Sequence, residues 1–446
     1  MAIRQSEIGA LHIYPETTFL TEIASIMSSA LPVPFRRGTC KLVRDDVFGD
    51  PMMAKQRLDG MDVQIKLPGK PTLEFDVNLD VPSARATNGV TATKSWFGYI
   101  LDSWLGHANL SGTVDSRSKL GTGTTVSGSG TTTVSTVCVT DASALEGGKA
   151  VAFATGSGGK LEGRVIRTNH TSTTPDEIRL KLQLSGIPSA ASTVYGAATY
   201  ALDCGGRTMP TLQAVVQGFD NTERWLMLGG CIDSVVFTLG TRGLASAKVK
   251  MKFANMLPAD GVSTTLDLTG PLLSRYSYTD INHMVEKDSE LRIQVVGTST
   301  LSAAPARKFS QIEIKVNTEM VEIPNPSQPL GIGGWIRRNK VPAVEMSFTE
   351  PRDESTAWET GMNATTPTNY AATYQIGAGT AGVLGGAWMF DLPTLQVVNV
   401  EPLQDSNGIT AVKVSMMGRN DEDAAGLSTD DEWIDFTDSA FRIHQF

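Results

Sequence analysis

Residues 245–253 constrain the fold of this 446-residue chain more than any other stretch. Every second position is apolar, and the positions between hold one serine and three lysines, namely Ser246, Lys248, Lys250 and Lys252. A period of two, with one apolar and one cationic face, is the pattern of a half-buried β-strand. A second strand-like run at residues 231–239 precedes it across a Gly-Thr-Arg-Gly turn, so the sequence predicts a β-hairpin.

A copy of this hairpin pattern lies 165 positions further along, at residues 397–418. Without any gap, the offset aligns like residues: Gly243 with Gly408, Lys248 with Lys413, Val249 with Val414 and Met251 with Met416. A further pair of runs, LEFDVNLD at 73–80 and IEIKVNTE at 312–319, occurs in the same order. Short alternating strands can resemble one another through composition alone, but two matches in the same order favour a duplicated β-domain.

A chain of this length is expected to form two or three domains. Charged residues are only 19% of the chain and Gly, Ser and Thr are plentiful, which favours an all-β fold with minor helix. We predict a first domain at 61–260 and a second at 261–446, ending in an acidic segment in which eight acids and one arginine follow position 420. Residues 1–60 are interpreted as an N-terminal arm and connecting segments, which either pack as a strand and loop or reach a neighbouring subunit.

The first half carries an insertion that the second half lacks. Val77 and Val249 are 172 positions apart, whereas Val316 and Val414 are 98 apart, a surplus of 74 residues. The surplus matches a Gly/Ser/Thr-rich run followed by several short strand patterns at about 120–200. We predict a small inserted β-barrel module there, on the outside, where an insertion disturbs packing least.

One segment has clear helical periodicity, at residues 94–105, with Thr91 or Thr93 as the expected cap and Gly106 as the stop. Its large apolar side chains fall on one face, which we expect to cover the first β-domain. Seven residues from the helix and the two hairpins are predicted to form domain cores: Trp96, Phe97, Trp104, Val249, Met251, Val414 and Met416. The stretch GGWIRRNK, by contrast, places Trp335 among three basic residues and is predicted to be an exposed loop.

Motifs that would carry chemistry are missing from the sequence. The five histidines have no metal-ligand spacing, no G-x-S-x-G occurs, and GSGGKLEG at 156–163 lacks the spacing of a phosphate-binding loop. We therefore expect no enzyme activity and no catalytic, cofactor-binding or metal-binding residues. The four cysteines form no C-x-x-C pair, no apolar run is long enough for a membrane helix, and no secretion signal is evident, which favours a cytosolic origin without membrane insertion.

The hairpins that end in a short polar stop (GLASAKVKMKFANM and GITAVKVSMMGRND), the duplicated β-domain and the single aromatic helix resemble the tail tube (major tail) proteins of long-tailed bacteriophages (siphophages). The inserted segment resembles small β-modules found in such proteins. The resemblance covers most of the chain from about residue 60. It implies two tandem tail-tube-like β-sandwich domains, the first carrying the inserted module.

The resemblance also implies a function. Six such domains close a ring with a continuous β-barrel as its inner wall, and stacked rings form the tube through which DNA passes into the host cell. A chain with two domains would close the ring as a homotrimer with pseudo-sixfold symmetry. The implied partners are further copies of this chain, the tape-measure protein and other tail proteins, with DNA passing transiently and without specific binding. The implied location is the virion tail, after synthesis in the host bacterial cytoplasm.

The lysines of the hairpins, Lys248, Lys250, Lys252 and Lys413, are the candidate residues of the ring wall. A net charge of −9 suits a tube that must not hold DNA, because tight duplex binding needs clustered cations. Our hypothesis is that these lysines pair with acids of a neighbouring subunit, such as the acidic C-terminal segment. Two alternatives remain, namely another virion structural protein, such as a baseplate hub or head decoration protein, and a carbohydrate-binding or carbohydrate-degrading adhesin.

Overall fold

The computed structural model describes most of the chain with gaps: residues 8–21, 31–44, 47–48, 66–67, 69–79, 85–86, 92–93, 95–106, 118–120, 123–145, 147–155, 160–202, 209–218, 224–240, 244–258, 289–295, 306–307, 309, 311–328, 330–352, 357–377, 387–406, 409–419 and 439–446. Within these residues the protein is mostly β, with antiparallel sheets, one of which curves as a half-barrel. The all-β class with minor helix is therefore confirmed.

The two helices of the described residues are α1 (Trp96–Leu105) and α2 (Ala357–Asn363). The strands before the inserted module are β1 (Ile8–Pro15), β2 (Leu31–Pro32), β3 (Lys41–Arg44), β4 (Val47–Phe48), β5 (Lys66–Leu67), β6 (Pro71–Asn78), β7 (Arg85–Ala86), β8 (Ala92–Thr93) and β9 (Ser118–Leu120). Those of the module are β10 (Thr124–Thr125), β11 (Thr136–Val139), β12 (Ala150–Thr155), β13 (Lys160–His170), β14 (Asp176–Leu180) and β15 (Thr193–Gly196). The rest are β16 (Ala198–Ala201), β17 (Leu212–Gly218), β18 (Arg224–Gly240), β19 (Ser246–Lys252), β20 (Asn255–Pro258), β21 (Glu290–Val295), β22 (Ala306–Arg307), β23 (Gln311–Pro324), β24 (Ile332–Pro351), β25 (Asn369–Ile376), β26 (Trp388–Ser406), β27 (Ile409–Arg419) and β28 (Arg442–Gln445).

The two predicted hairpins form, and they pair in the same register. In the first, β18 and β19 place Ile232 opposite Met251, with a bulge immediately after Ile232. In the second, β26 and β27 place Val397 opposite Met416, with a bulge immediately after Val397. Both the partners and the bulge recur at the offset of 165 that the sequence shows. A bulge adds an unpaired residue and turns the strand, so its recurrence makes the two hairpins equivalent in shape as well as in pattern.

The repetition extends beyond the hairpins. β17 pairs with β18 and β1, and β25 pairs with β26 and β21 in the corresponding way, again with a bulge near the start of β17 and of β25. Likewise β20 adds to β18 as β28 adds to β26. We name the two equivalent sets the first copy (β1, β2, β3, β6, α1, β17, β18, β19, β20) and the second copy (β21, β22, β23, β24, α2, β25, β26, β27, β28).

The second sequence match, 73–80 with 312–319, does not correspond to equivalent strands. β6, which holds the first run, pairs directly with β19. β23, which holds the second run, is separated from β27 by β24. By position in the sheet, β6 corresponds to β24 and β3 corresponds to β23. The alternating pattern was read correctly as strand, but two neighbouring strands with the same period cannot be told apart by pattern.

Strands of the two copies join into one continuous run of eight, in the order β3, β6, β19, β18, β23, β24, β27, β26. We call this run the wall. The joint between the copies is the pairing of β18 with β23, where Phe237 lies opposite Ile314 and Leu239 opposite Ile312. One face of the wall is apolar and buried, and the other carries the alternating polar side chains.

The N-terminal segment packs inside the molecule in its described part. β1 pairs with β17 over most of its length, and Leu11 and Ile13 are buried in the main core. β3 forms one end of the wall. Of the two interpretations of residues 1–60, the packed strand is therefore the one that fits residues 8–15 and 41–44. The acidic segment at 421–438 lies outside the described residues.

The inserted module is a closed set of six strands within the predicted limits. Their order is β10, β15, β12, β13, β14, β11. Backbone hydrogen bonds then join the two ends of this order, from the amide of Ser127 to the carbonyl of Cys138 (2.8 Å) and from that of Thr140 to Thr125 (3.0 Å). The module also has its own apolar core, which includes Val137, Phe153 and Ile178 among others.

Helix α1 lies at the centre of the main core. It begins at Trp96, and its cap is Ser95, whose Oγ accepts a hydrogen bond from the Gly98 amide (3.0 Å), rather than Thr91 or Thr93. The Phe97 ring contacts both Phe237 of the first copy and Trp388 of the second, at centroid distances of 6.3 and 5.1 Å. The helix therefore packs against both copies, and not only against the first as expected.

Candidate functional site

The polar face of the wall carries the candidate residues that the sequence predicted. Lys248, Lys250 and Lys252 project from β19 on the side opposite the buried Val249 and Met251. Lys413 holds the matching place on β27, beside the buried Val414. All seven predicted core residues are buried: Trp96, Phe97, Trp104, Val249, Met251, Val414 and Met416.

The lysines of the first copy have acidic neighbours in the same chain. Glu74 on β6 lies between two of them, with its carboxylate oxygens 3.4 Å from Nζ of Lys248 and 3.4 Å from Nζ of Lys250. The Asp233 carboxylate lies 2.7 Å from Nζ of Lys252. The hypothesis that these lysines need acids of a neighbouring subunit is therefore not required, because cross-strand register already supplies partners.

Glu74 responds electrostatically to this arrangement. Partial desolvation acts to raise the pKa of Glu74, but the ammonium groups of Lys248 and Lys250 outweigh it and hold the pKa below its ordinary value of 4.5. The carboxylate therefore stays charged, and keeps cancelling lysine charge, to a lower pH than an isolated glutamate would.

The polar face of the second copy has a different surface. An open groove of about 390 Å³ crosses β23, β24, β27 and β26. Val398 and Met417 contribute apolar surface to the groove, and Val398 is 53% exposed. Charged residues at its sides include Glu345 and Lys315, whose carboxylate and ammonium groups are 3.9 Å apart.

A long hairpin extends from the wall and packs on the first copy; we call this the hairpin contact. Residues 318–324 of β23 pair with residues 332–339 of β24 beyond the wall. Trp335, predicted to lie in an exposed loop, is fully buried, and its Nε1 donates to the carbonyl of Gly229 (2.7 Å). Arg337, also fully buried, donates from Nη1 to the carbonyls of Trp104 (3.0 Å) and Leu105 (2.6 Å), at the C-terminus of α1.

That prediction was wrong because the basic residues looked like solvated surface. A guanidinium beside the last carbonyls of a helix satisfies acceptors that have no partner within the helix and interacts favourably with the negative end of the helix dipole. Arg337 thus has a local reason to be buried, but its partner is more than 200 residues away in the sequence. A local sequence pattern contains no signal for such a contact.

A buried carboxyl group supports the hairpin contact from below. Glu16 accepts hydrogen bonds from the Gly229 amide (2.7 Å) and from Thr211 Oγ1 (2.5 Å). Burial raises the pKa of Glu16 to about 7, although these hydrogen bonds act in the opposite direction. Gly229 itself has a φ of +62°, and a Cβ there would meet the ring of Phe19 at 2.8 Å, so this position requires glycine.

The inserted module packs on the second copy through polar groups; we call this the module contact. The Gln375 side chain accepts a hydrogen bond from the Gly163 amide (2.8 Å) and donates one to the Leu161 carbonyl (2.8 Å). The buried Glu162 and Arg164 of the module form an ion pair with each other. Arg292 of the second copy extends the network, with its Nη2 3.8 Å from the Glu162 carboxylate.

The module contact concentrates positive charge away from water. Desolvation, and next to it the proximity of Arg164, lowers the pKa of Arg292 to about 10, while Glu162 acts in the opposite direction. Desolvation also lowers the pKa of Arg164. Glu162 is therefore the group that compensates two guanidinium groups at once, and it additionally accepts from the amide (2.8 Å) and the Oγ (2.8 Å) of Ser185.

Two further searches of the described part of the chain gave no candidates. No group of three or more His, Cys, Asp or Glu side chains is placed to hold a metal ion there. No helix among those residues is long and apolar enough to cross a membrane.

Comparison with known proteins assigns the chain to no group. Neither a protein-family model nor a curated protein sequence matches it.

Proposed function

We propose that this chain is a structural virion protein that self-assembles into stacked rings, which form the hollow tail tube of a siphophage and conduct DNA into the host cell. In this proposal each copy is a tail-tube-like β-sandwich domain, and three chains close a ring of pseudo-sixfold symmetry. The proposal joins the resemblance seen in the sequence to one observation on the wall, namely how its strands end.

The joint inside the chain is a template for a joint between chains. At the internal joint, the outer edge of β18 pairs with the outer edge of β23. The equivalent edges are those of β26 and β3. Within the described residues, β26 beyond Gln396 pairs with β27 alone, and β3 pairs with β6 alone. The molecule thus presents, at the two ends of its wall, the same pair of edges that it has already joined in its middle.

Open strand edges favour pairing with another chain, because each presents a row of unused backbone donors and acceptors. If β26 of one chain pairs with β3 of the next as β18 pairs with β23, the wall continues from chain to chain. A curved sheet that continues in this way closes into a ring, and closure leaves no edge exposed. The polar face of the wall would then line the lumen.

Leu42 provides the test. It lies opposite Leu73 as Ile314 lies opposite Met346, yet Leu42 is only partly buried in the single chain whereas Ile314 is buried at the internal joint. We expect Leu42→Asp to place a charge at the joint between chains and to block assembly. Ile187→Asp is the matched control, because Ile187 is an exposed apolar residue of the module (63% exposed), away from the wall.

Negative-stain electron microscopy of the purified proteins reads out the result. We expect long hollow tubes from the wild type and from Ile187→Asp, and single subunits from Leu42→Asp. Discrete rings that never stack would favour a baseplate hub or head decoration protein. Monomers at all concentrations, or tubes formed equally well by Leu42→Asp, would overturn the proposed assembly.

A further inference from the structure

The two copies differ on the polar face at positions that their shared register makes equivalent. In the first copy Lys250 lies opposite Glu74, whereas in the second copy Ser415 lies opposite Ser347. The offset of 165 likewise equates the ion-paired Lys252 and Asp233 with Met417 and Val398, and Asp233 and Val398 are the two bulge residues. At both places the lysine and its acid are replaced together.

The remaining lysine follows the same rule in another way. Lys248 lies between Asp76 on β6 and Val236 on β18. Its equivalent, Lys413, lies between Thr349 on β24 and Glu401 on β26. The acid has moved from one side of the lysine to the other, and each lysine keeps one acidic cross-strand neighbour.

These three replacements amount to double-mutant comparisons inside one molecule. At the compared positions the first copy has three lysines (Lys248, Lys250 and Lys252) and three acids (Glu74, Asp76 and Asp233), and the second copy has one of each (Lys413 and Glu401). Neither copy carries an excess of either sign at these positions. Strand pairing alone would not require this balance, because serine, methionine and valine occupy the same places in the second copy.

We infer that Glu74 and Asp233 serve to neutralise the lysines of the wall, so that the polar face has no net attraction for the phosphate backbone of DNA. This inference rests on the proposed function, in which that face lines the conduit. DNA affinity grows with the number of phosphates neutralised by cations that are free to contact them. A lysine 3.4 Å or less from a carboxylate is already compensated, and it contributes little to such contacts.

The experiment measures binding of a fluorescein-labelled 30-base-pair DNA duplex by anisotropy across a salt series, with the unassembled full chain isolated by size-exclusion chromatography. Glu74→Gln combined with Asp233→Asn frees three lysines. We expect at least about tenfold tighter binding at low salt and a log–log salt slope steeper by roughly two to three. The control, Asp141→Asn combined with Glu177→Gln, makes the same change in net charge on the module and should leave binding as in the wild type.

Two further variants separate neutralisation from a general charge effect. Adding Lys248→Gln, Lys250→Gln and Lys252→Gln to the first pair should abolish the gain. In the second copy, Met417→Lys should tighten binding, and Val398→Asp added to it should reverse the effect by rebuilding the ion pair of the first copy. Circular dichroism and thermal melting verify that each variant is folded.

Equal binding by the Glu74/Asp233 variant and the module control would overturn the inference, as would a gain that survives removal of the lysines. Tube formation by the wild type is scored separately in the microscope. Tubes without any gain in DNA binding would refute neutralisation and leave the proposed function standing. A gain without tubes would support neutralisation of this face and refute the tube.

Discussion

The hairpin contact and the module contact join the two copies from opposite directions and use different chemistry. The second copy inserts Trp335 into an apolar cluster of the first copy, where one indole hydrogen bond fixes its orientation. The first copy places Glu162 and Arg164 against Arg292 and Gln375 of the second. The first contact gains from apolar area, and the second depends on every buried charge having its partner. The two should therefore fail in different ways.

Trp335→Ala should have the largest effect. Removing a fully buried indole leaves a cavity and an unpaired Gly229 carbonyl, so we expect the free energy of unfolding to fall by about 4 kcal/mol. Trp335→Phe keeps most of the volume and should cost much less. Urea unfolding followed by circular dichroism measures both, and equal losses would mean that the hydrogen bond, not the volume, dominates the contact.

Glu162→Gln tests the module contact. It removes the carboxylate that compensates Arg164 and Arg292, and breaking a buried ion pair in this way costs about 3 kcal/mol. Glu290→Gln is the milder comparison, because the Glu290 side chain is 30% exposed and water can replace part of its contribution. Differential scanning calorimetry should show the module losing stability in Glu162→Gln, and an unchanged transition would show that the charges are not coupled.

Glu16 makes the hairpin contact dependent on pH. Its pKa in the folded protein, about 7, lies above the ordinary 4.5, so folding favours the protonated form. The stability it contributes is complete below about pH 4.5 and is lost as the pH rises through 7, by roughly 2–3 kcal/mol in total. Glu16→Gln is always neutral and should flatten this dependence between pH 5 and 8. A variant that keeps the wild-type slope in urea titrations would assign the slope to another group.

Lys70→Ala should have the smallest effect. Lys70 of the first copy and Glu322 of the second form an ion pair at the rim of the hairpin contact, and their side chains are 47% and 35% exposed. Pairs this exposed contribute less than about 1 kcal/mol and weaken in salt. Thermal melts at low and high salt provide the measurement, and a loss comparable with that of Trp335→Ala would contradict the division between the two contacts.

The hairpins, the limits of the module and the aromatic helix could be predicted because each depends on local periodicity. Lys248 and Val249 alternate in sequence, and they alternate across the wall. The partners of these residues could not be predicted. Whether Lys248 meets Glu74 of its own chain or an acid of another is decided by the register of β6 against β19, which are about 170 residues apart. Trp335 and Arg337 show the same limit, since a buried cation differs from a solvated one only through groups far away in the sequence.

The repeated bulge also provides a position for chemical labelling. Asp233 and Val398 are the extra residues at the two bulges, so they stand outside the alternation of buried core and paired strand. A cysteine introduced at Val398 would face the polar groove, while the described native cysteines, Cys40, Cys138 and Cys231, are buried. Desolvation raises the pKa of Cys40 to about 12 and raises that of Cys231 as well, which keeps both thiols unreactive near neutral pH. A thiol-reactive fluorophore or spin label would therefore mark the wall selectively and report on what passes along it.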